Sequence, residues 1–360
     1  MRAKRYIRAA LRWLQLLTRV RRRAGTRVFY GHDRVPDPGD PVAGGTGKFQ
    51  RLARRFPNSP TDFSLLYLGS TWLPRDAGAL LAFARRRRIP IVVNQSGVAY
   101  PGWAGSETER INREFRRALL AADHVLYQSE FCKRSADEFL GEPNGAWEVL
   151  YNAVDVDHFA PDARRAAANS PVLLLAGDQT QAYRLEVALH TLAHLPDARL
   201  IVTGRLVSDA HALARKLGVA DRVDVTGRYA QREAPALYRR ADVLLHTKVQ
   251  DPCPTTVIEA MACGLPVVYA ASGGTVELVG DEAGIGIPHP VGWERDEPPA
   301  PEAFAQAVFR VLAERERYAD AARKRAVDRF ALEPWLERHA QLFDELLTDG
   351  ALRARTSRTR

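Results

Sequence analysis

The sequence predicts an α/β protein in which two doubly wound parallel-sheet domains follow each other along the chain. Short apolar segments alternate with helix-like segments from about residue 27 to residue 330. Strands separated by single helices form βαβ units, in which the strands run parallel. A polar stretch between Pro161 and Pro171 interrupts the alternation and is typical of a linker. The 360 residues are enough for two such domains.

Each candidate strand is a short apolar run, and the segments between neighbouring strands have room for one helix. The helix-like segment 106–122 begins with Ser106 and Glu109, which is the spacing of a capping box. Other helices are expected at residues 76–88, 302–316, 318–330 and 334–347. The candidate strands lie at residues 27–30, 64–68, 89–93, 124–128 and 149–152, then at 172–176, 200–203, 223–226, 243–246, 267–269 and 285–287.

The composition excludes several classes of protein. With 46% hydrophobic and 26% charged residues, the chain has an ordinary globular composition, and no apolar run is long enough for a membrane-spanning helix. The three cysteines, Cys132, Cys253 and Cys263, form no CxxC pair, which argues against a disulfide framework or a zinc site. The nine histidines contain no HExxH pattern, so hydrolases have no support. We expect no bound metal and a reducing, cytoplasmic location.

The net charge of +9 comes from the first 23 residues, which carry nine bases and no acid. Removing these nine from the 52 bases leaves 43 against 43 acids, so the body lacks the basic stripe of a nucleic-acid-binding protein. As a helix, residues 2–23 place most of these bases on one face and apolar side chains such as Trp13 and Leu16 outside it. This pattern predicts an interfacial helix on an anionic membrane surface. Two alternatives stay open: the apolar face packs on the first domain, or the segment is a transit peptide.

The segment that follows His246 has the clearest pattern of a binding site. A buried strand ends near His246, a proline-containing loop follows, and a helix extends from Thr255 to Gly264, a residue type that favours helix C-termini. The loop is therefore expected at the carboxyl edge of a parallel sheet, where open α/β sheets bind ligands. Together with the helix dipole, the first amides of the helix, those of Thr255, Thr256 and Val257, form a predicted diphosphate site.

Two acids accompany this helix start. Glu259 lies one turn beyond Thr255, so its carboxylate can accept hydrogen bonds from two ribose hydroxyls. Asp251 lies in the preceding loop, where it can contact a sugar hydroxyl. On spacing alone an alternative is equally open, in which Glu259 belongs to an ordinary amphipathic helix and Asp251 caps a turn.

The stretch from Asp251 through Glu277, with EAMACGLPVV and SGGTVELVG, resembles the donor-site core of retaining glycosyltransferases of the GT-B fold, family four in the usual classification. The signature is two acids separated by seven residues, followed by Ala-Met-Ala-x-Gly-x-Pro-Val. Asp251 replaces the glutamate of most members, which keeps the charge and shortens the reach. Residues 152–159 resemble the segment before the interdomain linker, and residues 242–247 resemble the strand that leads to the donor loop.

The resemblance implies two Rossmann-like, doubly wound domains that face each other across a cleft, with C-terminal helices. It implies a retaining, metal-independent hexosyl-type transfer, without a cofactor, from a nucleotide-diphosphate sugar to a glycan or lipid-linked acceptor. We expect a role in bacterial cell-surface polysaccharide or glycolipid synthesis, on the inner face of the cytoplasmic membrane. The predicted segments are a basic amphipathic helix at 1–24, an acceptor-binding domain at 25–168, a nucleotide-sugar-binding domain at 169–330, a helix packing back toward the first domain at 331–350, and a basic tail at 351–360.

The chain departs from the family at the donor phosphates and on the acceptor side. By position, the resemblance assigns the ribose to Glu259, the transferred sugar to Asp251, and the phosphates to Thr255 and Thr256. Members commonly place an arginine after the glycine that ends the first donor-domain strand and a lysine a few residues later, and these bases neutralise the diphosphate. Here the corresponding residues are Gly177, Asp178 and Tyr183, so Arg184 is the expected substitute.

These departures leave a second function open. A histidine that often follows a strand of the acceptor domain is replaced by Asn94 and its neighbours. A catalytically weakened GT-B protein that binds nucleotide sugars, or regulates through them, is therefore the alternative to an enzyme. The spacing of Asp251 and Glu259 argues against a third possibility, a nucleotide-sugar epimerase.

The first domain contains two candidate loops. Residues 44–48 look like a phosphate loop, but a Walker pattern needs a glycine and a Ser or Thr where this chain has Val42 and Phe49. The resemblance instead makes Gly44 and Gly45 a flexible loop whose backbone approaches the donor or acceptor. The second loop has a polar start and an aromatic end that suit a sugar, although an ordinary sheet-edge turn is an equal alternative. Its candidate acceptor-binding residues are Asn94, Gln95, Ser96, Tyr100 and Trp103.

Overall fold

The computed structural model of the chain describes residues 25–37, 39–40, 44–162 and 170–356, together with Trp13 and Leu16. These residues form two compact units. The first unit contains Gly45–Tyr151, the described residues up to Asp37, and the chain from Glu333 onward. The second unit contains Asn152–Leu332 and the short segment Pro38–Gly44.

The division between the units lies earlier in the chain than the sequence predicts. The predicted boundary is residue 168, inside the linker, whereas the second unit begins at Asn152. The residues just after Asn152 belong to the second unit because arginine side chains hold their backbone there. Arg323 Nη1 donates hydrogen bonds to the carbonyl oxygens of Val156 (2.9 Å) and Phe159 (2.8 Å).

The first unit is built on a parallel sheet whose described strands lie side by side in chain order. The strands are β1 (Val28–Phe29), β2 (Leu65–Gly69), β3 (Ile91–Gln95), β4 (His124–Tyr127) and β5 (Ala146–Val149). The helices are α1 (Gly47–Arg55), α2 (Ala77–Arg87), α3 (Pro101–Ala104), α4 (Thr108–Ala121) and α5 (Glu130–Phe139). Every residue of β2, β3 and β4 is buried, as expected for a parallel sheet covered on both faces.

Two predicted boundaries in this unit are shifted. The last strand lies at 146–149 instead of 149–152, because its pairing with β4 begins with Ala146 opposite His124. α4 begins at Thr108, and its N-cap residue Glu107 makes no side-chain capping bond. The predicted capping box of Ser106 and Glu109 is therefore wrong.

The N-terminal basic segment lies outside the described residues except at Trp13 and Leu16. Leu16 is buried in the apolar core of the first unit. The Trp13 ring meets the Phe83 ring edge to face, with centroids 5.9 Å apart. These two contacts agree with the alternative in which the apolar face packs on the first domain. Membrane binding by residues 2–23 stays a prediction.

The second unit is built on a larger parallel sheet. Its strands are β6 (Val172–Leu175), β7 (Arg199–Thr203), β8 (Val223–Gly227), β9 (Val243–His246), β10 (Val267–Ala271) and β11 (Gly284–Pro288). Its helices are α6 (Ala182–Ala193), α7 (Ala210–Lys216), α8 (Ala234–Tyr238), α9 (Thr255–Ala262), α10 (Thr275–Val279), α11 (Pro301–Ala313) and α12 (Arg315–Phe330). The strand order is β11-β10-β9-β6-β7-β8. The order reverses between β9 and β6, so the carboxyl ends of these two strands form a topological switch point, where open α/β sheets bind ligands.

The last helix, α13 (Leu332–Thr356), belongs to the first unit from Glu333 onward. Its buried His339 lies with Nε2 3.2 Å from the Tyr67 hydroxyl, and burial lowers the pKa of His339 to about 4. Closer to the edge strand, Arg338 donates from Nε and Nη2 to the two oxygens of Glu148, both at 3.0 Å. His124 Nε2 lies 3.2 Å from the same carboxylate. Glu148 thus joins the edge of the sheet to α13.

The ion pair between Glu148 and Arg338 is expected to stabilise the first unit at neutral pH. Burial alone would raise the pKa of Glu148, but His124 and Arg338 lower it to about 2. A depressed folded-state pKa gives a stabilisation that is present above the ordinary carboxyl pKa and is lost as the pH falls toward 2. We expect Glu148→Gln to lower the free energy of unfolding by about 1 to 2 kcal/mol at pH 7. The deficit should shrink below about pH 4.5.

Urea unfolding followed by tryptophan fluorescence measures this effect, because every tryptophan except Trp293 lies in the first unit. The matched control is Glu345→Gln, since Glu345 pairs with the same arginine but is 61% exposed, against 27% for Glu148. The control should change stability by less than about 0.5 kcal/mol. Equal effects of the two substitutions, or a deficit independent of pH, would contradict this assignment.

Candidate functional site

The loop between β9 and α9 begins at the switch point of the second sheet. His246 ends β9, and α9 begins at Thr255 after Pro254, without a side-chain cap. The Val257 amide, predicted to face a ligand, instead donates to the Pro254 carbonyl at 3.1 Å. Thr255 and Thr256 remain the candidate amide donors for phosphate.

Gly177 brings the turn after β6 close to the same helix start. A Cβ atom at Gly177 would lie 3.3 Å from Thr256 Cγ2, and the residue has a φ of +82°, a backbone conformation that favours glycine. Its amide donates to Thr203 Oγ1 at 3.0 Å. The predicted donor residues Gly177 and Thr256 are therefore adjacent.

Asp251 lies among basic side chains. Its Oδ2 atom is 3.2 Å from Lys248 Nζ and 3.5 Å from His246 Nε2. Burial alone would raise the pKa of Asp251, but Lys248, His246 and Arg184 together hold it well below the ordinary value. His246 is buried, and this burial lowers its pKa despite the nearby carboxylate. At neutral pH the group is an ionised aspartate with a neutral histidine and two cations.

The loop that carries Asp251 is anchored at its backbone. Gln250 has a φ of +53°, its amide donates to Ser272 Oγ at 3.0 Å, and its Oε1 accepts from the Gly292 amide at 3.1 Å. The Gly274 amide donates to the Asp251 carbonyl at 2.9 Å. These bonds fix the position of the Asp251 side chain relative to β10 and the loop that follows it.

Glu259 has a different environment, which includes two neutral hydrogen-bond donors. It is buried on α9, where Tyr238 Oη donates to Oε2 at 2.8 Å and Gln231 Nε2 donates to Oε1. Burial first, and then the charge of Glu259, raise the pKa of Tyr238 well above its usual value, so the phenol keeps its proton. The sequence reasoning missed Tyr238 and Gln231, because nothing in their spacing links them to α9.

Arg184 and Asp178 occupy the region where the resemblance leads us to expect basic residues. Arg184 is buried at the start of α6, and its Nη1 donates to the Asp178 carbonyl oxygen at 2.7 Å. Its Nε atom has no hydrogen-bond partner among the described residues. The Asp178 carboxylate has other partners: Oδ1 accepts from the Arg205 amide at 2.8 Å, and Oδ2 lies 3.8 Å from Arg228 Nη2.

A second polar cluster lies at the carboxyl edge of the first sheet and contains two of the predicted acceptor residues. The buried Lys48 donates from Nζ to Asn94 Oδ1 (2.7 Å) and to Ser96 Oγ (2.8 Å). Gln128 Nε2 also donates to Asn94 Oδ1, at 2.8 Å. Gln95 is buried and donates to a nearby carbonyl. The sequence reasoning did not assign Lys48 or Gln128 to a site. It considered Lys48 only as part of the phosphate-loop pattern, which it rejected.

The other predicted residues of the first domain differ in their accessibility. Trp103 is 47% exposed, whereas Tyr100 is only 6% exposed, so stacking on a sugar ring is open to Trp103. Gly44 and Gly45 form a 3-10 turn that precedes α1. A Cβ atom at Gly45 would collide with Thr71 Oγ1, so a larger residue there would require the Thr71 side chain to move.

Within the described part of the chain, no group of three or more His, Cys, Asp or Glu side chains is placed to hold a metal ion. No helix among the described residues is both long and apolar enough to cross a bilayer.

Known proteins resemble this chain in sequence. Residues 159–326 match the family described as Glycosyl transferases group 1. A D-inositol 3-phosphate glycosyltransferase of Xylanimonas cellulosilytica is 30% identical over 239 residues, which are 59% of this chain and 56% of that protein. One from Nocardiopsis dassonvillei is 27% identical over 262 residues, which are 65% and 60% of the two chains. The chain thus spans less than two thirds of the length of these curated relatives.

Solved structures resemble it in fold. Sucrose-phosphate synthase from Thermosynechococcus elongatus has a TM-score of 0.67 at 18% identity, covering 84% of this chain and 77% of its own. The glycosyltransferase WaaG, involved in lipopolysaccharide biosynthesis, has a TM-score of 0.64 at 16% identity, covering 88% and 99%. HepE of Anabaena in complex with UDP has a TM-score of 0.64 at 18% identity, covering 83% and 81%.

The family match contains both acids of the β9–α9 loop and its helix, and the structural neighbours share the arrangement of parallel sheets and helices. The chain has the α/β architecture of the GT-B fold, and its residues 159–326 match the glycosyl transferases group 1 family.

Proposed function

We propose that this chain is a retaining glycosyltransferase that moves a sugar from a nucleotide-diphosphate sugar to a glycan or lipid-linked acceptor, without a metal ion. One observation carries the proposal: the buried Glu259 on α9 and the ionised Asp251 in the preceding loop lie at the switch point of the second sheet. HepE, a structural neighbour, is described in complexes with UDP and with UDP-glucose, which supports a nucleotide-sugar donor.

In this proposal the site acts by positioning the donor and stabilising the leaving group. The bond between sugar C1 and the distal phosphate oxygen breaks, the acceptor oxygen bonds to C1 from the same face, and the acceptor's hydroxyl proton passes to the leaving phosphate oxygen. Negative charge then develops on the diphosphate. The amides of Thr255 and Thr256, the α9 dipole and the Arg184 guanidinium stabilise that charge. Glu259 holds the ribose diol, and Asp251 contacts the transferred sugar.

The acceptor is assigned to the first unit. Its polar cluster of Lys48, Asn94, Ser96 and Gln128 supplies donors and acceptors at the carboxyl edge of a sheet, and Trp103 supplies an exposed ring. We infer an acceptor used in cell-surface polysaccharide or glycolipid synthesis, reached from the cytoplasmic face of the membrane. The basic residues of the segment 2–23 would hold the enzyme there by attraction to anionic lipid.

A nucleotide-sugar-binding module without turnover is the second candidate. It is favoured by Asp178, an acid at a place where the family commonly has an arginine for the diphosphate. Incubation with UDP-, GDP- and ADP-sugars, followed by measurement of released nucleoside diphosphate, separates the two functions. Release that depends on an added acceptor supports the transferase, whereas binding without release supports the module.

Glu259→Ala is expected to weaken donor binding. A hydrogen bond to a charged group contributes about 1.5 to 3 kcal/mol, so the donor dissociation constant should rise by about 10-fold to 150-fold. Isothermal titration with the nucleotide sugar that the wild-type chain binds best measures this change.

Tyr238→Phe is the matched control for Glu259→Ala. It removes one hydrogen bond to the carboxylate but leaves the carboxylate in place. We expect the control to lose thermal stability while keeping donor affinity within a few-fold of the wild-type value. If both variants lose affinity in proportion to stability, Glu259 has only a structural role.

Asp251→Asn is expected to lower kcat more than it raises the donor KM. The substitution keeps the size of the side chain and removes a charge that lies beside the reacting sugar, so the loss should reach at least about tenfold in kcat. The pKa of Asp251 is held low, so the wild-type group stays ionised and the ratio of the two rates should be constant from pH 6 to pH 9. A change confined to KM would remove Asp251 from the chemical step.

A further inference from the structure

Lys248 is the basic residue closest to Asp251, and its neighbours in the chain hold it in place. Thr247 Oγ1 donates to the Arg184 carbonyl at 2.9 Å, and the Val249 amide donates to Tyr183 Oη at 3.2 Å. The residues on both sides of Lys248 are thus bonded to consecutive residues of α6. Tyr183, which stands where the resemblance leads us to expect a lysine, holds the loop that carries one.

The helix start has fewer amide donors than its length suggests. Pro252 and Pro254 have no N–H group, and the Val257 amide is bonded to the Pro254 carbonyl. Two consecutive amides, those of Thr255 and Thr256, remain at the first turn of α9. A diphosphate carries more negative charge than two amides and a helix dipole neutralise, so it needs cationic side chains.

The basic groups around Asp251 exceed what one carboxylate requires. Lys248 Nζ lies 3.2 Å from Asp251 Oδ2, and Arg184 is close enough to influence the same carboxylate. The Arg184 guanidinium bonds a backbone carbonyl and leaves its buried Nε atom without a partner among the described residues. The two cations Lys248 and Arg184 thus bring positive charge close to Asp251, in the loop that leads to α9. Such a charge suits an anionic ligand.

We propose that Lys248 is a donor-binding residue that contacts the distal phosphate of the nucleoside diphosphate, the phosphate joined to the sugar. This inference rests on the proposed function, which places the transferred sugar against Asp251. In that placement Asp251 contacts the sugar, and the distal phosphate is the group joined to the sugar. Lys248 Nζ lies 3.2 Å from the Asp251 carboxylate, so we expect it to reach that phosphate. Lys248 thereby shares the neutralisation of the diphosphate with Arg184 on α6.

The test compares UDP with UMP, which lacks the distal phosphate, by isothermal titration of the full chain. Lys248→Met, which keeps the apolar stem, should weaken UDP binding by about tenfold or more and change UMP binding by less than twofold. Lys248→Arg should keep most of the preference for UDP because it keeps the charge. Lys216→Met is the matched control, since Lys216 is an exposed lysine of the same unit and should leave both affinities unchanged.

Lys248→Met also removes the ion pair with Asp251. Because neither UDP nor UMP carries a sugar for Asp251 to contact, the loss of that ion pair should affect the binding of both nucleotides equally. Equal losses for the two nucleotides would mean that the substitution disturbs the loop, and the proposal would be wrong. Unchanged UDP affinity in Lys248→Met would also overturn it. If the wild-type chain binds none of UDP, GDP and ADP, the proposed function itself fails, and this inference fails with it.

Discussion

The β9–α9 loop depends on the backbone of Gln250, which is one of two described non-glycine residues with a positive φ. A left-handed residue costs roughly 1 to 2 kcal/mol, so other interactions must hold it. Gln250 receives them from two sides, through its amide on Ser272 and its side chain on the Gly292 amide. The reversal of direction at Gln250 turns Asp251 back toward His246 and Lys248. Without this turn the acid of the loop would not meet the bases that keep it ionised.

The two acids of the site are stabilised in different ways, and this difference suits two different ligand groups. Glu259 accepts hydrogen bonds from a phenol and an amide, which are neutral donors. In the proposed function this carboxylate holds the ribose hydroxyls. Asp251 is surrounded by cations that hold its pKa low, so it cannot serve as a proton donor near neutral pH. In the proposed function, Asp251 orients the sugar and shares its cations with the adjoining phosphate.

The sequence predicted the parts of this structure that depend on local pattern. The strands of both sheets lie close to the predicted apolar runs, and the β9–α9 loop lies at a sheet edge because a buried strand must end before a helix begins. What could not be predicted depends on distant residues. The Tyr183 bond to Val249, the Tyr238 bond to Glu259 and the arginine that holds the segment after Asn152 all join positions far apart in the chain. The burial of Tyr100 and the occupied Val257 amide likewise became visible only with packing and backbone geometry.

Asp178 illustrates why a departure from a family pattern need not remove the function that the pattern serves. An acid beside a diphosphate would repel it, and this repulsion is the main argument for a chain without turnover. The Asp178 carboxylate, however, accepts the Arg205 amide and lies near Arg228, so other groups take up its charge. The Arg184 side chain donates to the backbone carbonyl of Asp178 and makes no hydrogen bond to its carboxylate among the described residues. In the proposed function, Arg184 and Lys248 therefore supply the positive charge near α9. They do so from positions that differ from those of the arginine and lysine in the family pattern.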